Sequence, residues 1–220
     1  MEVTLNVTER IVVIIRPDTD PDNPRNWDNV GTMACEYRRY TLGDKNGTSL
    51  LVEAIRSSKH FAPDADDDID DDDISFICEY LPKCEDILAL PLYLYDHGDI
   101  TMSTSRFTCP WDSGQVGFIF CTLEHALSEW GPDEAVAREK ALSYMEGEVT
   151  TYDQFLTGDV YGFEIERQFV DEEGKVVAYL TEHLDSCWGF YGSDVKTNGI
   201  LDHLDPAYHE AALAADITYH

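Results

Sequence analysis

The chain has 220 residues, of which 44 are acidic and 15 are lysine or arginine, and its formal net charge is −29. Such sparse basic residues argue against direct binding to nucleic acid, while a hydrophobic fraction of 43% with 11% aromatic residues excludes a disordered polypeptide. We therefore expect one folded domain over residues 1–220 with an acidic surface. The N-terminal apolar run covers only five residues and predicts neither a signal peptide nor a membrane span, so the six cysteines indicate reduced thiols in a cytoplasm.

The first sixty residues predict β structure followed by two helices. An alternating stretch and then a β-branched run are typical of a hairpin or a long strand over residues 3–15. Apolar residues recur at roughly helical spacing after Trp27, which predicts a short helix over about residues 30–40. Its Arg38–Arg39 doublet is expected to bind carboxylates of the same chain rather than an external anion. A second helix is predicted over residues 49–60.

An aspartate run follows the second predicted helix. Eight of the ten residues 64–73 are aspartate. Neighbouring like charges repel one another and aspartate is a poor helix former, so we predict a solvated surface insertion at about residues 63–74. The run lacks the glycine and the glutamate that an EF-hand loop requires, so it does not predict a calcium site of that type.

The centre of the chain carries the two strongest strand candidates, residues 90–95 and 116–121. A loop rich in glycine, serine and proline separates them. A helical region is predicted over residues 123–147, where Pro132 suits the first turn of a helix.

The last third of the chain predicts a second hairpin, an aromatic loop and a closing helix. A strand pair is predicted over residues 161–184, where Glu164 and Glu166 alternate with apolar side chains and indicate an acidic outer face. Residues 185–194 are predicted to form a glycine-flanked aromatic loop, and residues 205–216 a helix. Together these elements predict an α+β fold with a mainly antiparallel sheet covered on one face by helices.

The loop between the central strands concentrates the side chains suited to catalysis. Cys109, His97, Asp96 and Asp112 invite a thiol-enzyme interpretation, because a thiolate nucleophile needs a base and an orienting carboxylate. Gln115 lies close in sequence. No helix N-terminus follows Cys109 to lower its pKa, so a structural cysteine in a tight aromatic turn is the alternative. No CxxC, HxH or HExxH spacing and no glycine-rich phosphate motif occurs, so neither a metal nor a cofactor is predicted.

Six blocks of sequence resemble a family of uncharacterised proteins from bacteriophages and mobile elements. They lie in the same order between about residues 26 and 192: NWDNVGTM, RRYTLGD, LPLYLYDH with ITMST, CPWDSGQVGF, TYDQFLTGDVYG and DSCWGFYG. The aspartate run at residues 64–73 is not among them. The resemblance carries no catalytic assignment; it implies a small, acidic, phage-type protein in the cytoplasm of a host cell.

Charge and resemblance together predict an inhibitor of a host defence system, of the anti-CRISPR or antirestriction kind. Carboxylates held on rigid elements can imitate the phosphates of duplex DNA and occupy the DNA-binding surface of a host nucleic-acid-binding protein or complex. A homodimer would extend such a surface, and no membrane contact is expected. The residues predicted to contact the partner are Asp64, Asp66, Asp67, Asp68, Asp70, Asp71, Asp72, Asp73, Glu164, Glu166, Asp171, Glu172 and Glu173.

Two other interpretations stay open. A composition of 26 aspartates and 18 glutamates with only 6 lysines is also typical of proteins adapted to high salt, although six cysteines and many aromatic residues are unusual for that adaptation. The other alternative is a phage enzyme that uses Cys109, Asp112 and His97.

Overall fold

A computed structural model describes residues 6–61 and 74–217. The chain is an α+β protein with antiparallel sheets, which confirms the predicted fold class. It divides into two compact units. The terminal unit contains both ends of the chain, up to Asp22 and from Gly158 onward, and the central unit is Asn23–Thr157. The aspartate run at residues 64–73 lies outside the described residues.

The strands of the described residues form two sheets. Their bounds are β1 (Thr8–Pro17), β2 (Thr32–Cys35), β3 (Ile87–His97), β4 (Asp99–Ser103), β5 (Ser113–Thr122), β6 (Val160–Val170) and β7 (Glu182–Tyr191). The terminal unit has the strand order β1–β6–β7, and the central unit has the order β2–β5–β3–β4. Neighbouring strands are antiparallel in both sheets.

Helices occur in both units. Their bounds are α1 (Gly47–Ser57), α2 (Ile74–Tyr80), α3 (Leu123–Trp130), α4 (Glu134–Thr157), α5 (Ile200–His203) and α6 (His209–Ala214). Short 3-10 turns occur at Pro24–Asn26, Leu81–Lys83, Ala178–Leu180 and Pro206–Tyr208; the second follows α2 and the last precedes α6.

The core of the central unit lies on both faces of its sheet. On one face, fully buried Ile119 and Leu92 pack with Met145 of α4. On the other face, Phe120 packs in a cluster with Leu51 of α1 and with residues of α2. Adjacent side chains of β5 point to opposite faces, so one apolar strand serves both clusters.

The core of the terminal unit lies on one face of its sheet. Phe163 and Ile165 of β6 are buried with Ile15 of β1, in a cluster that α5 and α6 complete. Glu164 and Glu166 alternate with these residues and are only partly buried. The alternation predicted for this strand is therefore present.

A nearly buried arginine ties two loops of the central unit to α4. The Arg25 side chain is 4% exposed, and its guanidinium forms ion pairs with Asp44 at 2.8 Å and with Glu148 of α4 at 3.2 Å. Both carboxylates also accept backbone amides: Asp44 accepts from Met33 at 2.7 Å, and Glu148 accepts from Val30 at 2.6 Å. The blocks NWDNVGTM and RRYTLGD therefore meet on α4 through charge-assisted hydrogen bonds.

The helix predicted over residues 30–40 is wrong, because this segment contains strand β2. Met33 pairs with Ile119 of β5, and Gly47 packs so closely that a Cβ atom there would lie 2.2 Å from the Met33 carbonyl oxygen. Strand pairing and this close backbone approach override the helical spacing of the apolar residues.

The aromatic loop predicted over residues 185–194 is also wrong, since most of it belongs to β7. Trp188 pairs with Gly162 of β6, where a Cβ atom would lie 2.2 Å from the indole ring. The predicted second arm of the hairpin instead contains the 3-10 turn Ala178–Leu180. Strand β4 and the extension of α4 to Thr157 were not predicted either.

Candidate functional site

Hydrogen bonds hold the loop that precedes β5 against the end of β3. The Asp96 amide donates to the Asp112 carbonyl over 2.8 Å. Within the loop, the Ser113 hydroxyl donates to the Cys109 carbonyl over 2.5 Å. The antiparallel pairing of β3 with β5 therefore fixes the backbone from which Cys109 and Asp112 extend.

The Asp112 carboxylate contacts Cys109 and His97, two other residues of the thiol-enzyme interpretation. Its Oδ2 atom lies 3.2 Å from Nδ1 of His97 and 3.7 Å from Sγ of Cys109. The structure thus brings together side chains that sequence spacing could not place. However, the Cys109 thiol donates its hydrogen bond to the Asp112 carboxylate and not to the His97 imidazole. Within the described part of the chain, no hydrogen bond joins Cys109 to His97. The arrangement lacks the contact between sulfur and base that activates a thiolate nucleophile.

A polar cavity of about 390 Å³ lies beside Asp112. Its wall includes Arg38 and Arg39 from the segment after β2, Asp96 from β3, and Trp111 and Asp112 from the loop. Trp111 is 91% exposed, the largest exposed fraction among the big apolar side chains described. A tryptophan between a proline and an aspartate carries no sequence signal that separates an exposed ring from a buried one, so the sequence did not predict this cavity.

Asp96 neutralises part of the cavity wall. Its side chain is 9% exposed, and its Oδ2 atom accepts hydrogen bonds from the Tyr37 hydroxyl and from Arg39, each over 2.8 Å. The hydrogen bond to Asp96 raises the pKa of Tyr37, and the charge of Asp96 raises the pKa of Arg39. The expectation that the arginine doublet binds carboxylates of the chain therefore holds for Arg39. Arg38 has no ion pair among residues 6–61 and 74–217.

Two other thiols of the central unit are held in the protonated form. Burial, reinforced by the nearby Asp44 carboxylate, raises the pKa of Cys35 to about 12. Burial, reinforced by Glu148, raises the pKa of Cys121 to about 11. These cysteines behave as small apolar groups rather than as nucleophiles.

The acidic strand face of the terminal unit carries Glu164 and Glu166. Arg16 of β1 lies 2.7 Å from Glu164 and neutralises it, with both side chains about a quarter exposed or less. Glu166 accepts a hydrogen bond of 2.7 Å from the Gln168 amide and forms no ion pair with a described residue. Of the two predicted partner-binding glutamates on this strand face, Glu166 is thus the one whose charge no basic side chain of the described residues offsets.

The turn after β6 presents the other predicted acids of this unit. Asp171 Oδ1 accepts the backbone amides of Glu173 and Lys175, over 3.0 and 2.8 Å, and so fixes the turn. Glu172 accepts a hydrogen bond of 2.9 Å from Asn6, and the side chains of Glu172 and Glu173 are exposed. The turn therefore holds several carboxylates in a defined conformation.

The remaining predicted partner-binding residues lie outside the described residues: Asp64, Asp66, Asp67, Asp68, Asp70, Asp71, Asp72 and Asp73. Two further acids of the terminal unit, Glu182 and Asp185 of β7, are exposed and were not among the predicted partner-binding residues. Glu182 takes part in an ion pair of 2.5 Å with Arg167. The sequence did not indicate that these two acids share one strand, because residues 182–191 were divided between a predicted strand and a predicted aromatic loop.

The acidic excess is a property of the described, folded residues and not only of the aspartate run. These residues contain 35 of the 44 acidic side chains and all 15 lysines and arginines. At least five of the nine arginines already bind carboxylates of the chain. They are Arg16, Arg25, Arg39, Arg138 and Arg167.

The chain matches no protein-family model, no curated protein and no solved structure. Among residues 6–61 and 74–217, no group of three or more histidine, cysteine or acidic side chains is placed to hold a metal ion. In the same ranges, no helix is long and apolar enough to cross a membrane.

Proposed function

We propose that this protein is a phage-type inhibitor of a host defence system, and that it acts as a DNA mimic on the DNA-binding surface of an anti-CRISPR or antirestriction target. The observation that carries the proposal is the excess of carboxylates on folded elements of the chain. Several of its arginines form ion pairs with carboxylates of the same chain and therefore do not offset this excess at the surface. Such a surface offers unpaired negative charge to lysines and arginines of a partner.

The geometry of the terminal unit supports this proposal. Glu166 lies on the strand face opposite the buried side chains of β6 and has no ion pair with a described residue, whereas Arg16 neutralises Glu164. The turn that contains the exposed Glu172 and Glu173 is fixed by Asp171. These acids form the proposed partner-binding surface of the terminal unit. We propose that the aspartates of residues 64–73, which lie outside the described residues, also contact the partner.

The experiment compares two variants that remove equal charge from the chain. The test variant carries Glu166→Gln, Glu172→Gln and Glu173→Gln in the terminal unit. The control carries Glu129→Gln, Glu139→Gln and Glu146→Gln, exposed acids of α3 and α4. Both are tested, with the unmodified chain, against purified CRISPR and restriction complexes over a salt series and with duplex DNA as competitor.

Mimicry predicts that a target complex binds the unmodified chain, that salt weakens the complex steeply and that duplex DNA displaces the chain. The test variant should bind at least ten times more weakly, while the control changes affinity far less. Binding that resists both salt and duplex DNA would contradict the proposal.

A second candidate function is a thiol enzyme, and the observation in its favour is the convergence of Cys109 and His97 on Asp112. Replacing Cys109 with serine distinguishes the two functions. An inhibitor that acts by charge keeps its activity in the Cys109→Ser variant, whereas a thiol enzyme loses its activity.

A further inference from the structure

The wall of the cavity beside Asp112 includes the exposed Trp111, which lies on a loop held by hydrogen bonds. Trp111 follows Pro110, and its neighbours Asp112 and Ser113 are fixed by hydrogen bonds to Asp96 and Cys109. The indole is 91% exposed and takes part in no ring contact among the described residues. Because the backbone that carries the ring is already fixed, binding through Trp111 orders little additional backbone, and tryptophan is among the residues enriched in interface hot spots.

The charges around the indole favour a cation over an anion. Arg39 is already neutralised by Asp96, whereas Glu36 and Asp112 have carboxylate oxygens available within the same wall. Asp112 uses Oδ2 for His97 and Cys109, and its Oδ1 atom accepts no hydrogen bond from the described residues. Although Arg38 also lines the cavity, an anionic ligand would have to approach a chain of net charge −29.

A planar guanidinium fits this combination better than an ammonium. Arginine stacks on the face of tryptophan within about 6 Å of the ring centroid and can at the same time donate hydrogen bonds to a carboxylate. Trp111 and Asp112 are adjacent in the chain and line the same cavity, so they offer both contacts in one place.

We propose that the cavity formed by Trp111, Asp112 and Glu36 binds an arginine side chain presented by the basic partner. This inference rests on the proposed function, because it identifies a docking point for the same class of partner in the central unit. It differs from the proposed function in depending on an aromatic ring and not only on charge density.

The first test uses small probes on the full chain. The indole N–H signals of the four tryptophans are followed by NMR during titration with argininamide, lysinamide and citrullinamide, an analogue of argininamide whose side chain is uncharged. We expect argininamide to shift the Trp111 signal saturably, with a shift at least several times larger than that of citrullinamide. Equal shifts with lysinamide, or equal shifts at all four indoles, would overturn the assignment to arginine.

Variants of the chain then connect the cavity to the partner. Trp111→Ala removes an exposed ring, and Asp112→Asn removes only the charge; Trp27→Ala, at an exposed tryptophan elsewhere in the central unit, is the matched control. With the target complex found in the salt and DNA competition assay, Trp111→Ala and Asp112→Asn should each weaken binding about tenfold or more, and Trp27→Ala should not.

The two proposals fail in distinguishable ways. Unchanged affinity of Trp111→Ala for a partner that binds salt-dependently overturns the arginine site and leaves DNA mimicry in place. Binding that is independent of salt overturns mimicry, and the argininamide titration of the Trp111 indole then decides alone whether the cavity binds arginine.

Discussion

Arg25 and Asp44, which are 19 residues apart in the chain, are joined by two parallel hydrogen bonds, from Nε to Oδ1 over 2.9 Å and from Nη2 to Oδ2 over 2.8 Å. Glu148 of α4 accepts a further hydrogen bond from Nη1 of the same guanidinium. Because the arginine is nearly buried, the two carboxylates depend on it for compensation of their charge.

Removing Arg25 is expected to destabilise the central unit strongly. Arg25→Met should cost about 3–5 kcal/mol in the free energy of unfolding, because it leaves two partly buried carboxylates without a partner. Arg25→Lys should cost less, since it keeps the charge but loses the two-pronged geometry. Urea unfolding followed by circular dichroism measures both.

The matched control is Lys83→Met, which removes a cation from an exposed ion pair with Glu79 at 3.4 Å. Such surface pairs contribute about 0–1 kcal/mol, so the control should unfold nearly as the unmodified chain does. If Arg25→Met and Lys83→Met were equally stable, the charge cluster around Arg25 would not organise the loops.

A glycine in β5 marks the closest approach of β2. A Cβ atom at Gly117 would lie 1.9 Å from the backbone oxygen of Ala34, whereas a Cβ atom at Gly114 of the same strand meets nothing within 4 Å. Gly117→Ala should therefore lower the free energy of unfolding by about 1–3 kcal/mol or more. Gly114→Ala should change it by less than about 0.5 kcal/mol. Equal stability of the two variants in urea would mean that β2 does not pair with β5 at this position.

The raised thiol pKa values predict a loss of stability at alkaline pH. In the unfolded chain Cys35 and Cys121 ionise near the ordinary value of 9.0, but in the fold their pKa values are about 12 and about 11. The unfolded state therefore binds fewer protons above pH 9, so the stability that these thiols contribute is complete below that pH and is lost as pH rises toward 11–12. Urea midpoints from about pH 8 to about pH 10.5 measure the slope.

Other groups also titrate in that range, so variants isolate the contribution of the thiols. Cys35→Ala and Cys121→Ala should each flatten the decline in the urea midpoint. Cys78→Ala, at an exposed cysteine, should leave the slope unchanged. An unchanged slope in all three variants would show that the buried thiols do not govern alkaline stability.

The order of apolar and polar residues along the sequence was sufficient to predict strands that are either continuously apolar or alternate between apolar and polar side chains. The alternation around Glu164 and Glu166 and the apolar runs of β3 and β5 predicted strands, because each of these segments has one consistent pattern of burial. It was insufficient at β2, where the pairing of Met33 with Ile119 decides the conformation, and at β7, where Gly162 makes room for Trp188.

The candidate site likewise combines features that the local sequence indicates with features that depend on strand pairing. Sequence indicated that the loop before β5 is unusual, but the meeting of His97, Cys109 and Asp112 depends on the register of β3 with β5, which no local pattern encodes. The acidity of the surface was evident from composition alone. Which acids remain unpaired, such as Glu173 rather than Glu164, follows only from the position of Arg16 on the neighbouring strand.

Glu164 and Glu173 are therefore expected to contribute unequally to binding of a target complex. Glu173→Gln removes an exposed charge that has no ion pair among the described residues, so it should weaken binding and reduce the salt slope by about 1. Glu164→Gln removes a charge that Arg16 already neutralises at 2.7 Å, so binding should change little while the free energy of unfolding falls by about 1 kcal/mol. Affinities over a salt series, with urea unfolding of both variants, measure the contrast. Equal effects on binding would indicate that total charge, and not the position of unpaired carboxylates, determines recognition.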